Sequence, residues 1–227
     1  MISPKTPSPP PLSPNPLHPK TYLHTSSPLT LSWLIFSIPL IVWDLGFVVL
    51  RPMSMPGGSL HSPIWAPYAK YVRTDYIYGW KAWEEKNGFT AAQACMNVPE
   101  TVLYCVYLYL VYTRGMRPAA TQERSGSGSR LGIFGRRCVA GRPAALAITA
   151  GFMGAVMTCS KTVLYGLNEI FSGCRNVGHN DWSDLILFYM IPNGAWLVAS
   201  ALMTYAFGRE ILQGLSRDVG VPALDDK

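Results

Sequence analysis

The chain has 227 residues, the length of one ordinary domain, but its composition differs from that of a soluble domain. Hydrophobic residues make up 49% and charged residues only 14%, whereas about a quarter of a typical globular domain is charged. This balance argues against a water-soluble enzyme, a disordered regulator and a nucleic-acid-binding protein, despite a net charge of +6. The five cysteines show neither CxxC nor zinc-ligand spacing. We therefore expect an integral membrane protein.

The first segment, residues 1–29, is rich in proline and contains few apolar residues. Prolines interrupt every helix that could form there, so we expect a disordered tail. A partner that reads PxxP segments is an alternative. The prolines are Pro4, Pro7, Pro9, Pro10, Pro11, Pro14, Pro16, Pro19 and Pro28.

Four apolar stretches follow, at about 31–50, 91–112, 144–167 and 185–207. Each is close to the roughly 20 residues that a helix needs to cross the hydrocarbon core. The pattern predicts an all-α membrane protein with a four-transmembrane-helix bundle over residues 30–212 and a cytosolic tail over 213–227. Pro39, Pro99 and Pro192 lie inside three of the helices and indicate kinks beside a cavity.

The connection from Arg114 to Pro143 sets the expected orientation. It contains seven arginines and one acidic residue, Glu123, so the positive-inside rule places it and both termini in the cytosol. Contact with anionic lipid headgroups would use the same charges. The run Ser125–Ser129 resembles a phosphate loop only loosely, because no strand precedes it, and a flexible linker is the favoured interpretation.

Four polar residues lie inside the predicted helices: Asp44, Glu100, Lys161 and Asn193. Ionisable groups in a membrane are costly unless they are paired or face a cavity, so they indicate function. From their distances to the helix ends, all four fall within roughly 9 to 14 Å of one membrane face. The sequence thus predicts one polar layer to which every helix contributes.

Aromatic residues accompany this layer. Trp196 lies three positions after Asn193, and tyrosines lie four positions after Glu100 and Lys161, which keeps each pair on one helix face. Together they predict a ring-walled cavity for an apolar ligand with one polar or cationic group. The candidate ligand-binding residues are Asn193, Trp196, Tyr104, Tyr165, Lys161 and Trp43.

Several structural alternatives stay open. Asp44 or Glu100 would simply pair with Lys161 to hold the helices together, Asn193 would clamp two helices by a hydrogen bond, and Trp196 would only pack. A metal site or cofactor is not predicted, because the loop residues with ligating side chains match no recognised spacing. These residues are Cys174, His179, Asp181 and Asp184.

Over about residues 31–212, the chain resembles the EXPERA, or emopamil-binding-protein, family of four-helix membrane proteins. The resemblance depends on several motifs that occur in the same order as in that family. The family includes sterol delta-eight/delta-seven isomerases and sigma-two receptor-like proteins. The resemblance implies that the protein lies in the endoplasmic reticulum membrane. It also implies a fungal type of family member. The motifs are the run Asp44–Val49, the segment Trp65–Lys70 with Asp75-Tyr76, Glu100-Thr101, Val163–Tyr165 with Glu169, and Asn193–Val198, which is similar to the family's NxxWLV.

In the isomerases, a proton is added to one end of a buried ring alkene and removed from a neighbouring carbon. By resemblance, Glu100 is the proton-shuttling carboxylate, Asp44 the second acid or base, Asn193 an orienting donor and Trp196 a cation-stabilising ring. The chain departs from the family at Leu40, where the isomerases carry a histidine, and near Lys161, where they carry an acid. It also has a Pro-rich tail where they have an extra helix.

The leading interpretation is an isomerase-like enzyme that moves a double bond, or catalyses another proton transfer or cyclisation, on a sterol, terpenoid or other lipophilic compound. The alternatives are a non-catalytic sterol- or lipid-binding protein and a scaffold whose polar layer only packs. The expected partners are membrane lipids and a lipophilic small molecule, not nucleic acid, and a homodimer stays open.

Overall fold

The computed structural model describes residues 21–116 and 132–218, which are mostly helical. Its helices, in chain order, are α1 (Pro28–Val49), α2 (Tyr68–Thr74), α3 (Trp80–Glu84), α4 (Phe89–Arg114), α5 (Arg142–Phe171), α6 (Trp182–Leu185) and α7 (Ile191–Asp218). A π-helix, Ile186–Met190, joins α6 to α7. Three parts of the chain lie outside the described residues. They are residues 1–20 of the predicted disordered tail, residues 117–131 in the Arg-rich connection, and residues 219–227 of the predicted cytosolic tail.

Four helical segments are long and apolar enough to cross a membrane. They are Pro28–Val49, Phe89–Arg114, Arg142–Phe171 and Trp182–Ser216, and their most apolar windows have mean hydropathies from 1.3 to 1.9. The four predicted apolar helices are therefore confirmed. Each is longer than expected, because polar residues and prolines extend its ends. Helix α7 in particular continues to Asp218, into residues assigned to the C-terminal tail.

The expectation of a disordered segment is wrong for residues 21–29. Leu23–Thr25 forms strand β1, which pairs antiparallel with strand β2, Cys138–Ala140. Between the strand and α1, Ser26 exchanges hydrogen bonds with the backbone of Arg137. Pro28 then begins α1 instead of breaking it, because a first-turn proline lacks only an N–H that the helix does not use.

The four long helices pack in sequence, with α1 on α4, α4 on α5 and α5 on α7. Trp33 of α1 meets Trp196 of α7 edge to face, with ring centroids 5.1 Å apart, so the first and last helices also touch. The half of the bundle beside β1 and β2, which we call the packed half, holds a continuous apolar core. That core includes Leu31, Leu34, Tyr104, Tyr107, Val111, Ala144, Ala147, Ile148 and Phe207.

The opposite half, which we call the cavity half, is covered by the segment between α1 and α4. This segment was expected to be a loop, but it contains α2 and α3. A second apolar cluster anchors it to the bundle through Phe47, Val48, Met55, Trp65, Tyr68, Val72 and Ala94. The cluster brings the polar face of α2 over the ends of the long helices.

The last membrane-length helix is irregular where it enters the cavity half. Pro192 has no N–H to give to the carbonyl four residues earlier, and its ring clashes with that carbonyl in a regular helix. The chain forms the π-helix Ile186–Met190 at this point, a widening that is frequent at functional sites. The expected kink is therefore present as a π-helical turn that precedes Pro192.

Candidate functional site

A cavity of about 450 Å³ lies in the cavity half, within the roughly 300–1,000 Å³ of typical small-molecule sites. The four long helices, the π-helix and α2 all contribute to its wall. The lining residues include Leu40, Trp43, Asp44, Tyr68, Tyr71, Tyr78, Gln93, Asn97, Glu100, Thr158, Lys161, Tyr165, Phe188, Asn193 and Trp196. The expectation that the polar residues of four helices meet is thus matched by the geometry.

Asp44 reaches the cavity from the last turns of α1. Its Oδ1 accepts a hydrogen bond of 2.6 Å from the Tyr68 hydroxyl of α2. The Tyr68 ring is stacked on Phe47 at 4.1 Å and meets Trp43 edge to face at 4.9 Å. Because rings on both sides hold Tyr68, its hydroxyl fixes the carboxylate in one position.

The tyrosines of the covering segment are neutral hydrogen-bonding groups. Burial raises the pKa values of the Tyr68, Tyr71 and Tyr78 hydroxyls well above the ordinary value, and the nearby Asp44 carboxylate raises them further. These hydroxyls therefore keep their protons at neutral pH. They make this wall of the cavity a surface of hydrogen-bond donors beside Asp44.

Glu100 and Lys161 form an ion pair between α4 and α5. Glu100 is only 1% exposed, and its Oε2 lies 2.6 Å from Lys161 Nζ. The same ammonium donates to Asn97 Oδ1, and Gln93 Nε2 donates to the Lys161 carbonyl at 3.1 Å. The alternative in which Lys161 pairs with a carboxylate is confirmed for Glu100, and both partners still line the cavity.

Asp75 is a carboxylate that the sequence analysis quoted but did not assign to the site. It follows α2, is 1% exposed, and accepts hydrogen bonds from the Tyr165 hydroxyl and the Ile77 N–H. Burial raises its pKa to about 6, although these two hydrogen bonds oppose the shift. Tyr165 lines the cavity. Asp75 therefore orients one aromatic ring of the cavity wall through this hydrogen bond.

Asn193 and Trp196 line the cavity from α7. Asn193 Nδ2 donates to the Tyr189 carbonyl of its own helical segment at 2.8 Å. This bond lies within one helix and is not the interhelical clamp considered above. Trp196 both lines the cavity and packs on Trp33, so packing and ligand contact are compatible. Trp43 lines the cavity while its indole N–H donates to the Ile64 carbonyl.

Tyr104 does not reach the cavity, in contrast to the expectation. Its hydroxyl hydrogen-bonds Thr158 Oγ1 at 2.6 Å, and its ring packs against Gly154. Tyr104 therefore lies in the core beneath the cavity, because the glycine gives its ring room there. Glu169 is also elsewhere: its carboxylate accepts hydrogen bonds from Asn176 and the Val177 N–H and orders the loop after α5.

The residues missed by sequence reasoning had a detectable signal. Thr90, Gln93, Asn97 and Glu100 are spaced by three or four residues and form one polar stripe on an otherwise apolar helix. Only Glu100 of these four was singled out. Tyr68 lies in the quoted segment Trp65–Lys70, but the place of the α2 tyrosines over the cavity depends on tertiary packing, which spacing does not predict.

Comparison of the chain with protein-family models, curated proteins and solved structures found no match. The inference of function therefore depends on the chemistry of the cavity. That chemistry consists of one carboxylate held by neutral tyrosines, one ammonium–carboxylate pair and aromatic walls. Such a set can bind an apolar molecule, orient a polar group on it and exchange a proton with it.

Proposed function

We propose that this protein is a membrane-embedded isomerase that moves a double bond by proton transfer on a sterol, terpenoid or similar lipophilic compound. One observation carries the proposal. Asp44 and the Glu100–Lys161 pair line the same cavity, between four helices apolar enough to cross a membrane. Buried ionisable groups that face a cavity are costly and therefore indicate function.

The two carboxylates have different roles in this proposal. Among the described residues no ion pair involves Asp44, whereas Glu100 is in contact with Lys161. A proton-transferring carboxylate must be able to reach the reacting atom of the ligand, and the Glu100 carboxylate is already engaged by the Lys161 ammonium. Asp44 is therefore the proton-transferring group, and the Glu100–Lys161 pair supplies a fixed polar feature. This reverses the emphasis on Glu100 that the family resemblance implies.

The resemblance to the EXPERA family supports the proposal at particular positions. Asp44, Glu100, Asn193 and Trp196, which match that family's motifs, all line the cavity. Leu40 and Lys161, where the chain departs from the isomerases, line it as well. A changed substrate or reaction within the same cavity accounts for this combination. Residence in the endoplasmic reticulum with cytosolic termini belongs to the same proposal.

A second candidate is a non-catalytic sterol- or lipid-binding protein. The Glu100–Lys161 contact favours this candidate. The family resemblance implies that Glu100 and Asp44 both exchange protons with the substrate, but here the Glu100 carboxylate is engaged by an ammonium. In that case Asp44 and the tyrosines would only bind a polar group of the ligand.

Deuterium incorporation separates the two candidates. The full-length protein in detergent is incubated in deuterated water with a panel of sterol and terpenoid alkenes. An isomerase places deuterium in the product, and Asp44→Asn lowers the rate by about 100-fold or more, since positioned acid–base groups contribute roughly 10²–10⁴-fold.

The matched control is Glu85→Gln, which neutralises a carboxylate in an exposed ion pair with Arg175, away from the cavity. Glu85→Gln is expected to leave the rate unchanged. Ligand retention without deuterium in any product would support the binding protein and contradict the isomerase.

A further inference from the structure

Lys161 gives the cavity an unusual electrostatic character. Among the cavity-lining residues that the structure describes, it is the one cation, opposite a lining that otherwise contains two carboxylates and neutral groups. Its side chain is 14% exposed, so its charge is poorly screened by solvent. The reaction intermediate must therefore be compatible with a fixed ammonium group.

The ammonium is held at several points and retains donor capacity. A lysine ammonium has three N–H donors and no acceptor. Asn97 accepts from one of them, Glu100 Oε2 is the ion-pair partner at 2.6 Å without a hydrogen bond of its own, and Gln93 fixes the Lys161 backbone through its carbonyl. The ammonium lines the cavity, so a remaining N–H is suited to an acceptor oxygen on the ligand.

Two routes move a double bond by proton transfer, and they need opposite electrostatics. Protonation of an isolated alkene creates a carbocation, which has no use for a hydrogen-bond donor. Removal of a proton beside a carbonyl creates an enolate, whose oxygen a preorganised donor stabilises. Because Lys161 is paired with Glu100, it acts as a local donor, and a local donor serves the second route.

The position of Asp44 leads to the same choice. Its carboxylate accepts the Tyr68 hydrogen bond and lines the same cavity as Lys161. A carboxylate in this position can act as the base that removes a proton from the ligand. A base and an oxygen-binding cation in one apolar cavity are the two groups that enolate formation requires.

We propose that the substrate is a lipophilic β,γ-unsaturated ketone, whose carbonyl oxygen binds the Lys161 ammonium while Asp44 moves a proton from the α-carbon to the γ-carbon. This inference rests on the proposed function and specifies its substrate class. The chemistry needs no cofactor, oxidant or reductant.

The step balances within the substrate and Asp44. The carboxylate takes the α-proton, the C–H electron pair forms a double bond between the carbonyl carbon and the α-carbon, and the carbonyl π electrons move to the oxygen, giving a dienolate that keeps the β,γ double bond. Lys161 donates a hydrogen bond to the dienolate oxygen. The β,γ π electrons then take the proton from Asp44 at the γ-carbon, a double bond forms between the α- and β-carbons, the carbonyl re-forms, and the product is the conjugated ketone.

The test uses two probes with one skeleton. Cholestenone in its β,γ-unsaturated form carries the carbonyl, and cholesterol carries the same ring alkene with a hydroxyl group instead. Ultraviolet absorbance is expected to show that the full-length protein converts the ketone to the conjugated enone. When the ketone carries deuterium at its α-carbon and the reaction runs in ordinary water, mass spectrometry is expected to find that label at the γ-carbon, because Asp44 carries the same proton between the two carbons. Conversion of cholesterol or another isolated alkene, with no conversion of the ketone, overturns the inference and leaves the proposed isomerase intact.

The variant must remove the ammonium without leaving Glu100 unpaired. The double variant Glu100→Gln/Lys161→Met removes both charges and the donor at position 161, and is expected to lower enone formation by about 100-fold, the loss typical of one oxyanion donor. An unchanged rate in the folded double variant overturns the role of Lys161.

A comparison of binding affinities tests the inference independently of turnover. A phenolic steroid mimics the dienolate, whereas a steroid of the same ring system with an amine at that position mimics a carbocation. The wild-type protein is expected to bind the phenol at least about tenfold more tightly than the amine, a difference of about 1.4 kcal/mol, and the double variant is expected to lose this preference. Tighter binding of the amine overturns the inference. If no alkene exchanges deuterium but the phenol preference holds, the isomerase fails and the ligand class stands.

Discussion

Tyrosines occur in both halves of the helical bundle, but they fill space in one half and surround it in the other. In the packed half, Tyr104 and Tyr107 are fully buried. The Tyr107 hydroxyl meets His24 Nε2 at 3.2 Å, and His24 Nδ1 lies 2.9 Å from Glu210 Oε1. In the cavity half, Tyr68, Tyr71, Tyr78 and Tyr165 border an unfilled volume.

Helix α5 shows the origin of the difference along one element. Its first half presents small residues to the neighbouring helices, including Ala144, Ala147, Gly151 and Gly154, so side chains from α4 and α7 interlock against it. Its second half presents Thr158, Lys161 and Tyr165 to the cavity. These polar side chains border the unfilled volume there. The packed half therefore stabilises the bundle, and the cavity half can carry groups that lower its stability.

The largest effect that tests this division comes from breaking the ion pair of the cavity half. Lys161→Met leaves the Glu100 carboxylate, 1% exposed, without its cation. We expect a loss of about 3–5 kcal/mol in unfolding free energy, the usual cost of removing one partner of a buried pair. Thermal unfolding of the protein in detergent measures it as a lowered Tm.

The control is the double variant Glu100→Gln/Lys161→Gln, which removes both charges together. Replacement of a whole buried pair by neutral groups is often nearly neutral, so its Tm is expected to stay close to that of the wild type. If the double variant is as unstable as the single one, the pair holds the helices together, and the packed half does not stabilise the bundle on its own.

The next effect is a pH dependence of stability that comes from Asp75. Its pKa is raised from 3.8 to about 6 by burial, so the folded protein binds this proton more tightly than the unfolded chain. The resulting stability is fully present below the unfolded pKa and is lost as the pH rises through about 6. The loss is on the order of 3 kcal/mol, since one pKa unit corresponds to about 1.4 kcal/mol.

Asp75→Asn should remove this dependence, because its amide oxygen can still accept from the Ile77 N–H while its N–H₂, in place of Oδ2, donates to the Tyr165 hydroxyl. Chemical denaturation in detergent from about pH 4 to 7 is expected to show a smaller decline for Asp75→Asn than for the wild type. The matched control is Asp181→Asn, at an exposed carboxylate, which should keep the wild-type decline. Equal declines in all three proteins would mean that Asp75 is not the group that titrates.

Much of this division was accessible from the sequence. The four apolar helices and the meeting of Asp44, Glu100, Lys161 and Asn193 follow from residue spacing and helix rise, because depth in a membrane-length helix is a one-dimensional quantity. What spacing cannot give is the depth along a helix at which the cavity ends and the packed core begins. Tyr104 and Glu100 share a face at i, i+4, yet Tyr104 lies beneath the cavity because Gly154 of another helix admits its ring.

The other failures have the same origin in tertiary contact. Whether Lys161 pairs with Asp44 or Glu100 depends on which helices are neighbours, and α4 packs on α5. Strand β1 was missed because its partner β2 lies more than 100 residues away. The role of α2 depends on the aromatic cluster that folds the segment after α1 back over the bundle, with the Tyr68 ring stacked on Phe47.

The smallest effect compares glycines in the two halves of α5. At Gly154, in the packed half, an added Cβ would lie 2.8 Å from the Tyr104 ring, which the Thr158 hydrogen bond holds in place. Gly154→Ala is expected to cost about 1–3 kcal/mol through overpacking. At Gly166, toward the end of the cavity half, an added Cβ meets nothing within 4 Å. Gly166→Ala is expected to stabilise the protein by about 0.5–1 kcal/mol, because alanine has less backbone entropy to lose in a helix.

Tm measurements in one detergent compare the two variants directly. Gly154→Ala is expected to lower the Tm, and Gly166→Ala is expected to raise it. Because Tyr104 lies beneath the cavity and does not line it, Gly154→Ala should also change the Tm more than the affinity for a ligand of the cavity. A Tm unchanged by Gly154→Ala would show that the Tyr104 ring can move aside, so that the packed half is not the rigid base that holds Asp44 and Lys161 at their positions.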